Sequence, residues 1–253
     1  WMEKEAFPWI PAFIEMFLCK TSVPYVIDFD DAIFHRYDQH RNFIVRKSLS
    51  KKISQIMAQS TVVIAGNQYI ASYAEKNGAK RIEIFPTVVD TDLIIEKTFI
   101  ENDIFTIGWI GSSSTSRHIN VAVPALKKLC QDNDIQFSAI GAHKKDVNEI
   151  QCQLIPWKQE TEFHEINRFD VGIMPLPDTP WERGKCGFKL IQYMACGLPV
   201  IASPVGMNKD IVDHGVNGFL ADGVDDWIEY LKVLKENPDL CRKMGEAGRK
   251  KVE

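Results

Sequence analysis

The stretch that decides the fold runs from Asp170 to Gly206 and has the sequence DVGIMPLPDTPWERGKCGFKLIQYMACGLPVIASPVG. An apolar run typical of a buried strand, Val171 to Met174, ends at a proline, and a polar loop follows it. A helix then begins near Phe188 and stops at Cys196-Gly197, before a second apolar strand from Pro199 to Ala202. A strand, a loop, a helix and a second strand in this order predict a parallel βαβ unit.

The same alternation of short β-branched runs and helical stretches extends over almost the whole chain. The other predicted strands are Tyr25 to Phe29, Thr61 to Ala65, Ile82 to Phe85, Phe105 to Ile110 and Ile135 to Ile140. The predicted helices are Arg41 to Ala58, Asn67 to Asn77, Asn120 to Gln131, Lys189 to Cys196 and Asp225 to Glu236. This alternation is typical of a parallel sheet wrapped by helices, so we predict a doubly wound α/β fold.

The strands fall into two groups. After the strand at Ile82 comes Pro86 and then a polar stretch through Asn102, which we interpret as an interdomain linker. We therefore place the boundary near Val88 and predict one domain over residues 1–88 and another over 89–253. The first domain offers three strands where such a sheet usually has five or six, so we expect it to be incomplete.

Composition excludes several classes of protein. The chain has 253 residues, 45% of them hydrophobic, and a formal net charge of -4, which argues against a nucleic-acid-binding protein. Its six cysteines form no CxxC pair and no metal spacing with histidine, so we expect neither a zinc site nor disulfides but reduced thiols in a cytoplasmic protein. No apolar run approaches the roughly 20 residues that a membrane-spanning helix needs.

A second segment with ligand-binding character is FTIGWIGSSSTSRHI, from Phe105 to Ile119. It predicts a buried strand that ends at Gly111, then a small polar loop, and open α/β sheets bind ligands at the carboxyl ends of their strands. Small residues let a phosphate approach the backbone, and Arg117 can neutralise its charge. An ordinary strand-to-helix loop with a surface arginine has the same sequence features, so both interpretations stay open.

The start of the helix near Phe188 carries the stronger signal. The first turn of a helix has unpaired N–H groups, and Gly187 lets a ligand come close to them. Lys185 and Lys189 flank this positive helix end, so a diphosphate can be held by backbone amides and two ammonium groups together. The alternative is that both lysines are only solvated and Gly187 only forms a turn.

Several segments, taken together, follow the order of a known family. MACGLPVIAS, from Met194 to Ser203, and DHGVNGFLADG, from Asp213 to Gly223, are similar to its Gly-x-Pro-Val and Asn-Gly-Phe motifs. SVPYVIDFDDAIF, VVIAGNQYIASYAEKNGA and IFPTVVDTDLI follow the same order, and the last resembles the Pro-Asn-Gly-Val-Asp interdomain segment of the family. The chain thus resembles the retaining GT-B glycosyltransferases of glycosyltransferase family 4, the group 1 type.

This resemblance implies two Rossmann-like domains and a nucleoside-diphosphate-sugar site in the second. Gly111 and Ser112 stand where the family has a Gly-Arg pair, and Arg117 stands at the position of its phosphate-binding lysine. Gly187 matches the glycine of the family's Glu-x-Phe-Gly. The residues implied to supply backbone around the diphosphate are Gly187, Phe188, Lys189 and Leu190.

The sequence departs from the family at several of these positions. Ser112 replaces the arginine of the Gly-Arg pair, which weakens one diphosphate contact. The family's two glutamates, separated by seven residues, are replaced by Gly184 and Gln192. Gln192 can still hydrogen-bond a ribose hydroxyl. The first glutamate faces the sugar in the family, so its loss leaves the donor sugar open, and Lys185 is expected to take over part of its electrostatic role.

In the first domain, Asp30 stands after the strand Tyr25 to Phe29, where the family commonly has a histidine near the reacting centre. Asp30 or Asp31 can contact an acceptor hydroxyl as a base or an orienting group. Capping of a helix at a strand-helix junction explains the same residues equally well.

Two further features have competing interpretations. The basic stretch from Arg36 to Lys52, with apolar residues interleaved, favours a core-facing helix with a solvated face. Its alternative is an acceptor groove for an anionic or lipid-linked substrate at a membrane surface. Trp157 lies where the family contacts the nucleobase, but we expect a packed indole there.

The resemblance therefore predicts a metal-independent retaining hexosyltransferase that uses a nucleoside-diphosphate sugar as a substrate and needs no cofactor. Asp30, Arg117 and Lys185 are the expected catalytic residues, and stabilisation of the departing diphosphate is the expected main contribution. The expected acceptor is a sugar, a lipid-linked or a polysaccharide substrate of the cell envelope. We expect a cytoplasmic protein, with the inner face of the membrane as an alternative location.

Two other functions fit the same fold. The missing glutamates and the aspartate at position 30 favour a non-catalytic module that binds sugar nucleotides or a partner. A sugar-nucleotide epimerase of the same architecture is the third hypothesis. Release of nucleoside diphosphate, with and without acceptor, separates the three.

Overall fold

The computed structural model describes residues 1–19, 24–91, 94, 97 and 104–253. They form two compact units, the first of Trp1–Thr87 with Asp178–Cys186 and the second of Val88–Pro177 with Gly187–Glu253. The segment Asp178–Cys186 thus lies in the first unit, although the sequence places it within 89–253. In the predicted linker, residues 92–93, 95–96 and 98–102 lie outside the described residues.

Strands and helices alternate along both units. The strands in the described ranges are β1 Met2–Glu3, β2 Val26–Phe29, β3 Val62–Ala65, β4 Ile82–Ile84, β5 Phe105–Ile110, β6 Ile135–Ile140, β7 Cys152–Ile155, β8 Val171–Met174, β9 Val200–Ala202 and β10 Gly218–Leu220. The helices are α1 Ala12–Cys19, α2 His35–Asp38, α3 Phe43–Leu49, α4 Lys52–Gln59, α5 Gln68–Lys76, α6 Val123–Leu129, α7 Glu162–Ile166, α8 Pro180–Arg183, α9 Phe188–Ala195, α10 Asn208–Ile211, α11 Val224–Glu236 and α12 Pro238–Val252.

Every predicted strand is present, and two predicted helices differ. The helix predicted over Arg41 to Ala58 is two helices, α3 and α4, with a break at Ser50 and Lys51 directly before the buried Lys52. The helix predicted from Asn120 instead has a 3-10 turn, Ser116–Val121, followed by α6. Pro124 lies in the first turn of α6, where its missing N–H costs no hydrogen bond.

The first unit has a parallel sheet with the order β1-β2-β3-β4. Each strand lies beside the one that precedes it in the chain, so all crossovers run in one direction. The core is formed by buried side chains of β2, β3 and helices α2 to α5, among them Ile27, Phe34, Met57 and Val63.

The second unit has a six-stranded parallel sheet with the order β10-β9-β8-β5-β6-β7. Strand β5, the first of this sheet along the chain, lies in the middle of it. Strands β6 and β7 follow on one side of β5, and β8, β9 and β10 follow on the other side. The direction therefore reverses between β5 and β8, and doubly wound sheets bind ligands at the carboxyl ends of the two strands where this happens. The predicted doubly wound parallel topology is confirmed for this unit.

Helix α9 is held against this sheet by one aromatic residue. Tyr193 is fully buried, and its ring lies where a Cβ at Gly172 of β8 would be only 2.3 Å away. Its hydroxyl accepts a hydrogen bond of 2.9 Å from the Ile110 N–H, at the last residue of β5. Tyr193 therefore fixes the position of α9 relative to both strands that flank the reversal.

The opposite end of α9 is capped by the last helix of the chain. Arg249 of α12 donates hydrogen bonds to the carbonyls of Ala195, Thr91 and Ile94. A cation near the last carbonyls of a helix also stabilises its dipole. The start of α9 is thus positioned by contacts on both sides of the helix.

Candidate functional site

Two loops meet in close contact at the carboxyl edge of the second sheet. Gly111 follows β5 and donates a hydrogen bond of 3.1 Å from its N–H to the Ile140 carbonyl. Gly141 follows β6 with φ of 73°, and a Cβ on it would lie 2.3 Å from the Gly111 carbonyl oxygen. Glycine is therefore required at position 141 for both its conformation and its space.

The first turn of α9 reaches the same place. A Cβ at Gly111 would lie 2.7 Å from Lys189 Cε and 2.6 Å from the Trp109 ring. Lys189 Nζ lies 5.4 Å from the centroid of that ring, a cation–π distance. The structure thus brings together Gly111 and Lys189, which the sequence predicts as site residues from segments far apart in the chain.

No side chain caps the start of α9. Gly187 is its N-cap residue, in the left-handed region at φ of 73°, and provides no side-chain acceptor. The N–H groups of Gly187 and Phe188 donate to no acceptor in the part of the chain that the structure describes. The Leu190 N–H, in contrast, donates to the Gly187 carbonyl at 2.9 Å, so of the predicted backbone donors Leu190 is already engaged. Unpaired N–H groups at a helix start attract an anion.

Gln192 lies one turn further along α9. The residue is only 4% exposed, but its side-chain amide is not among the buried polar atoms that lack a hydrogen-bond partner, so the amide is accessible to water or to a ligand. Phe188, at 45% exposed, is the most open side chain of this helix start.

The loop after Gly111 is exposed and held by its own hydroxyl groups. Ser112 Oγ lies 2.8 Å from Ser114 Oγ, and the Ser112 carbonyl accepts hydrogen bonds from Thr115 and Ser116 N–H groups. Arg117 follows in the 3-10 turn, is exposed, and forms no hydrogen bond or ion pair with any described residue. Its charge is available to a ligand.

Two of the predicted catalytic residues, Asp30 and Lys185, belong to the first unit. Asp30 is exposed after β2 and pairs with Lys4 at 2.8 Å. Lys185 Nζ lies 3.6 Å from Asp31 Oδ1. Burial raises the pKa of Asp31, an effect that Lys185 opposes and Asp30 reinforces. The roles predicted for Asp30 and Lys185 stay predictions.

The segment 178–186 is fastened to the first sheet by hydrogen bonds that the sequence did not predict. Asn67, after β3, donates from Nδ2 to the Gly184 carbonyl at 2.9 Å and to Cys186 Sγ at 3.3 Å. The Cys186 thiol donates to the Asp30 carbonyl at 3.0 Å. Burial raises the pKa of Cys186 to about 11, so it is a protonated, structural thiol at neutral pH. The only sequence signal was Asn67, a residue type favoured at the start of a helix.

Trp157 does not form the packed indole that the sequence predicts. It is 52% exposed, and its Nε1–H donates to Glu162 Oε2 at 2.8 Å. Its Cβ lies 3.2 Å from the position that a Cβ on Gly141 would take. The indole is exposed because strand β7, which was not predicted, ends just before Trp157 at the edge of the sheet.

The residues that the structure describes contain no group of three or more His, Cys, Asp or Glu side chains arranged to hold a metal ion. None of their helices is long and apolar enough to cross a membrane.

Sequence comparison identifies a family. The profile described as Glycosyl transferases group 1 matches residues 101–237. An uncharacterized glycosyltransferase of Methanocaldococcus jannaschii is 25% identical over 198 residues, which are 75% of this chain and 54% of that protein. The chain therefore spans about half the length of this relative.

Structural comparison identifies the fold. Sucrose-phosphate synthase from Thermosynechococcus elongatus superposes with a TM-score of 0.76 at 17% identity, over 95% of this chain and 66% of that one. HepE from Anabaena, solved in complex with UDP and glucose, gives 0.72 at 17% identity, over 94% and 68%. At these identities the similarity concerns the fold alone, and it confirms the predicted GT-B type of α/β fold.

Proposed function

The chain belongs to the group 1 family of glycosyl transferases, and from this premise we propose that it transfers a sugar from a nucleoside-diphosphate sugar to an acceptor hydroxyl. The observation that supports this most is the start of α9, which has no side-chain cap and whose second residue, Lys189, lies beside Gly111. Backbone amides and an ammonium group there converge at the sheet reversal, where doubly wound folds bind nucleotides.

In the proposed reaction the amides of Gly187 and Phe188 hold the diphosphate. Arg117 and Lys189 offset the negative charge that grows on the diphosphate as the bond to the sugar breaks, and Lys185 contributes further positive charge. Such preorganised donors stabilise the transition state without reorganising during the reaction. We propose that these cations replace a metal ion and that the reaction proceeds with retention, as in family 4 of the glycosyltransferases.

Gln192 is proposed to bind the ribose of the donor. It lies one turn after the start of α9, its amide is not among the buried polar atoms that lack a partner, and an amide can both donate to and accept from a hydroxyl.

The proposed acceptor is a hydroxyl of a sugar, a lipid-linked substrate or a polysaccharide of the cell envelope. We propose Asp30 as the residue that orients or deprotonates this hydroxyl. The proposed location is the cytoplasm, which the unpaired thiols of Cys130, Cys152, Cys186, Cys196 and Cys241 support.

Peripheral binding to an anionic membrane is proposed from the surface of α3. Phe43 and Ile44 at its start are 64% and 69% exposed, and Arg41, Lys47 and Lys51 beside them are also exposed. The sequence carries no Asp or Glu from Gln39 to Ala74. Exposed apolar side chains within a basic surface fit the headgroup region of a bilayer that contains anionic lipids.

Replacing Phe43 and Ile44 together by serine is expected to lower cosedimentation with phosphatidylglycerol-containing vesicles by about tenfold, because two inserted apolar side chains are lost. Val216→Ser is the control, since Val216 is an apolar side chain of similar exposure to Phe43 and Ile44, at 58%, on a loop of the second unit. Wild-type protein that fails to bind these vesicles, or a double variant that binds as the wild type does, contradicts the membrane proposal.

The function itself is tested by incubating the chain with a panel of nucleoside-diphosphate sugars in the presence of EDTA. Transferase activity predicts release of nucleoside diphosphate that increases when sugar acceptors are added, and retention predicts a product with the anomeric configuration of the donor. Binding without turnover indicates a non-catalytic module, and conversion of the donor sugar without release of nucleoside diphosphate indicates an epimerase. No response to any donor, in turnover or in thermal shift, rejects the proposal.

Arg117→Gln is expected to raise the Kd of the donor about tenfold, because it removes one charge-assisted hydrogen bond to the diphosphate. Lys128→Gln removes the same charge from an exposed position on α6 and serves as its control. Isothermal titration calorimetry with the donor measures the Kd of both variants. Equal affinities of the two variants would exclude a contact between Arg117 and the diphosphate.

A further inference from the structure

Three polar side chains form a hydrogen-bonded chain in the first unit. His35 Nδ1 lies 2.8 Å from Asp38 Oδ1, and His35 Nε2 lies 2.8 Å from the Tyr69 hydroxyl. His35 begins α2, and Tyr69 lies in the first turn of α5. These helices follow the carboxyl ends of β2 and β3, so the cluster lies at the edge where parallel sheets bind ligands.

The Asp38 carboxylate determines which nitrogen of His35 carries the proton. An ionised carboxylate only accepts hydrogen bonds, so His35 donates from Nδ1. In the neutral ring Nε2 is then an acceptor, and the Tyr69 hydroxyl donates to it. The amide of Gln39 also lies 3.2 Å from Nδ1, but the shorter contact to a charged acceptor dominates.

This arrangement leaves hydrogen-bond acceptors unused. The Tyr69 hydroxyl donates its hydrogen bond to His35, and its oxygen accepts no hydrogen bond from a described residue. The second oxygen of Asp38 is likewise without a described partner, and the Asp38 side chain is 30% exposed. Burial raises the pKa of Tyr69, so its hydroxyl stays protonated at neutral pH although the nearby Arg183 opposes this effect.

An apolar contact lies beside the cluster. Phe34, directly before α2, is fully buried, and its ring stacks on that of Tyr73 in α5 with 3.6 Å between the centroids. The stacked rings therefore join these two segments without a polar contact.

We propose that Tyr69, oriented by His35 and Asp38, binds a hydroxyl group of the acceptor sugar. An oxygen that must accept hydrogen bonds selects ligands that donate them, and a second acceptor on Asp38 suits the several hydroxyls of a carbohydrate. Tyr69 contacts the acceptor, whereas His35 and Asp38 act through Tyr69 as positioning residues. The inference rests on the proposed transferase function.

Tyr69→Phe tests this assignment, with Tyr73→Phe as the matched control one turn further along α5. With a donor that turns over, Tyr69→Phe is expected to raise the acceptor KM about tenfold. The donor KM and the hydrolysis of donor without acceptor are expected to stay unchanged. His35→Gln is expected to raise the acceptor KM as well, and to add nothing in combination with Tyr69→Phe because the two residues act as one unit.

A second readout does not require turnover. Methyl glucoside, methyl mannoside and methyl galactoside are titrated while the imidazole resonances of His35 are followed by NMR. A bound sugar is expected to shift these resonances in the wild type and not in Tyr69→Phe. A chain that hydrolyses no donor and still shows the shift rejects the transferase proposal alone. Absence of the shift, or equal acceptor KM values for Tyr69→Phe and Tyr73→Phe, overturns the assignment of Tyr69.

Discussion

Gly187→Ala is expected to lower donor-dependent release of nucleoside diphosphate by on the order of 100-fold, the effect of losing one preorganised donor to a developing anion. Two causes act together. The backbone at Gly187 has φ of 73°, which costs alanine roughly 1 kcal/mol, and the new Cβ would lie 2.2 Å from Ile211 Cδ1. The Ile211 side chain shifts to relieve this contact, and the strained backbone at position 187 turns the amides at the start of α9 away from the diphosphate.

Gly215→Ala is the matched control for this prediction. Gly215 has φ of 80°, so the conformational cost is similar, but its new Cβ would meet no atom within 4 Å. Combining Gly187→Ala with Ile211→Ala should restore part of the rate, because it removes the clash and leaves only the conformational cost. Initial-rate measurements that give Gly187→Ala and Gly215→Ala the same activity would disprove the role of the α9 amides.

Lys52→Met is expected to destabilise the first unit by about 3–5 kcal/mol, because it removes the ammonium group that two buried carboxylates share and leaves Glu15 without a counter-charge. The Lys52 side chain is fully buried, with Nζ 2.6 Å from Glu5 Oε2 and 3.1 Å from Glu15 Oε1. Glu5 keeps Arg36 and the Tyr37 hydroxyl as partners, whereas Glu15 Oε2 has none. Most of the loss is therefore expected from Glu15.

Lys51→Met supplies the control, since Lys51 is the exposed neighbour of Lys52. Hydrogen exchange measures the effect in the first unit through the amides of β2 and β3, and those of β5 and β6 report on the second unit. Adding Glu15→Gln to Lys52→Met should recover part of the stability by removing one unpaired charge. Exchange rates in β2 and β3 that match those of Lys51→Met would show that the ion pairs contribute little.

The parts of the site that the sequence predicted are those with a local signature. Gly111 and Gly187 each separate a strand or loop from the residues that follow, and small residues at such junctions indicate a close approach of the backbone. The structure brings the segments of both glycines together, since Lys189 lies next to Gly111. The proximity of these two segments was predicted only through the resemblance to a family, because spacing along the chain does not specify it.

The parts that the sequence missed depend on contacts between distant residues. His35 and Tyr69 are 34 positions apart, and each is an unremarkable polar residue beside a helix start. The segment 178–186 follows a strand of the second sheet in the chain, so nothing local shows that it packs with Asn67 in the first unit. The strand β7 is partly exposed along its length and β10 begins with a glycine, so neither has the continuous apolar run that predicted the equally short β8 and β9.

The contacts of Arg249 have a consequence for how the second unit is made. During synthesis, α9 leaves the ribosome more than fifty residues before Arg249, so its last carbonyls find their partner only after α12 has been made. We expect the unit to stay open to proteases until that residue emerges, and then to close in one step. A stalled nascent chain that ends at Met244 should be cleaved near Cys196, and one extended past Glu253 by a linker should resist.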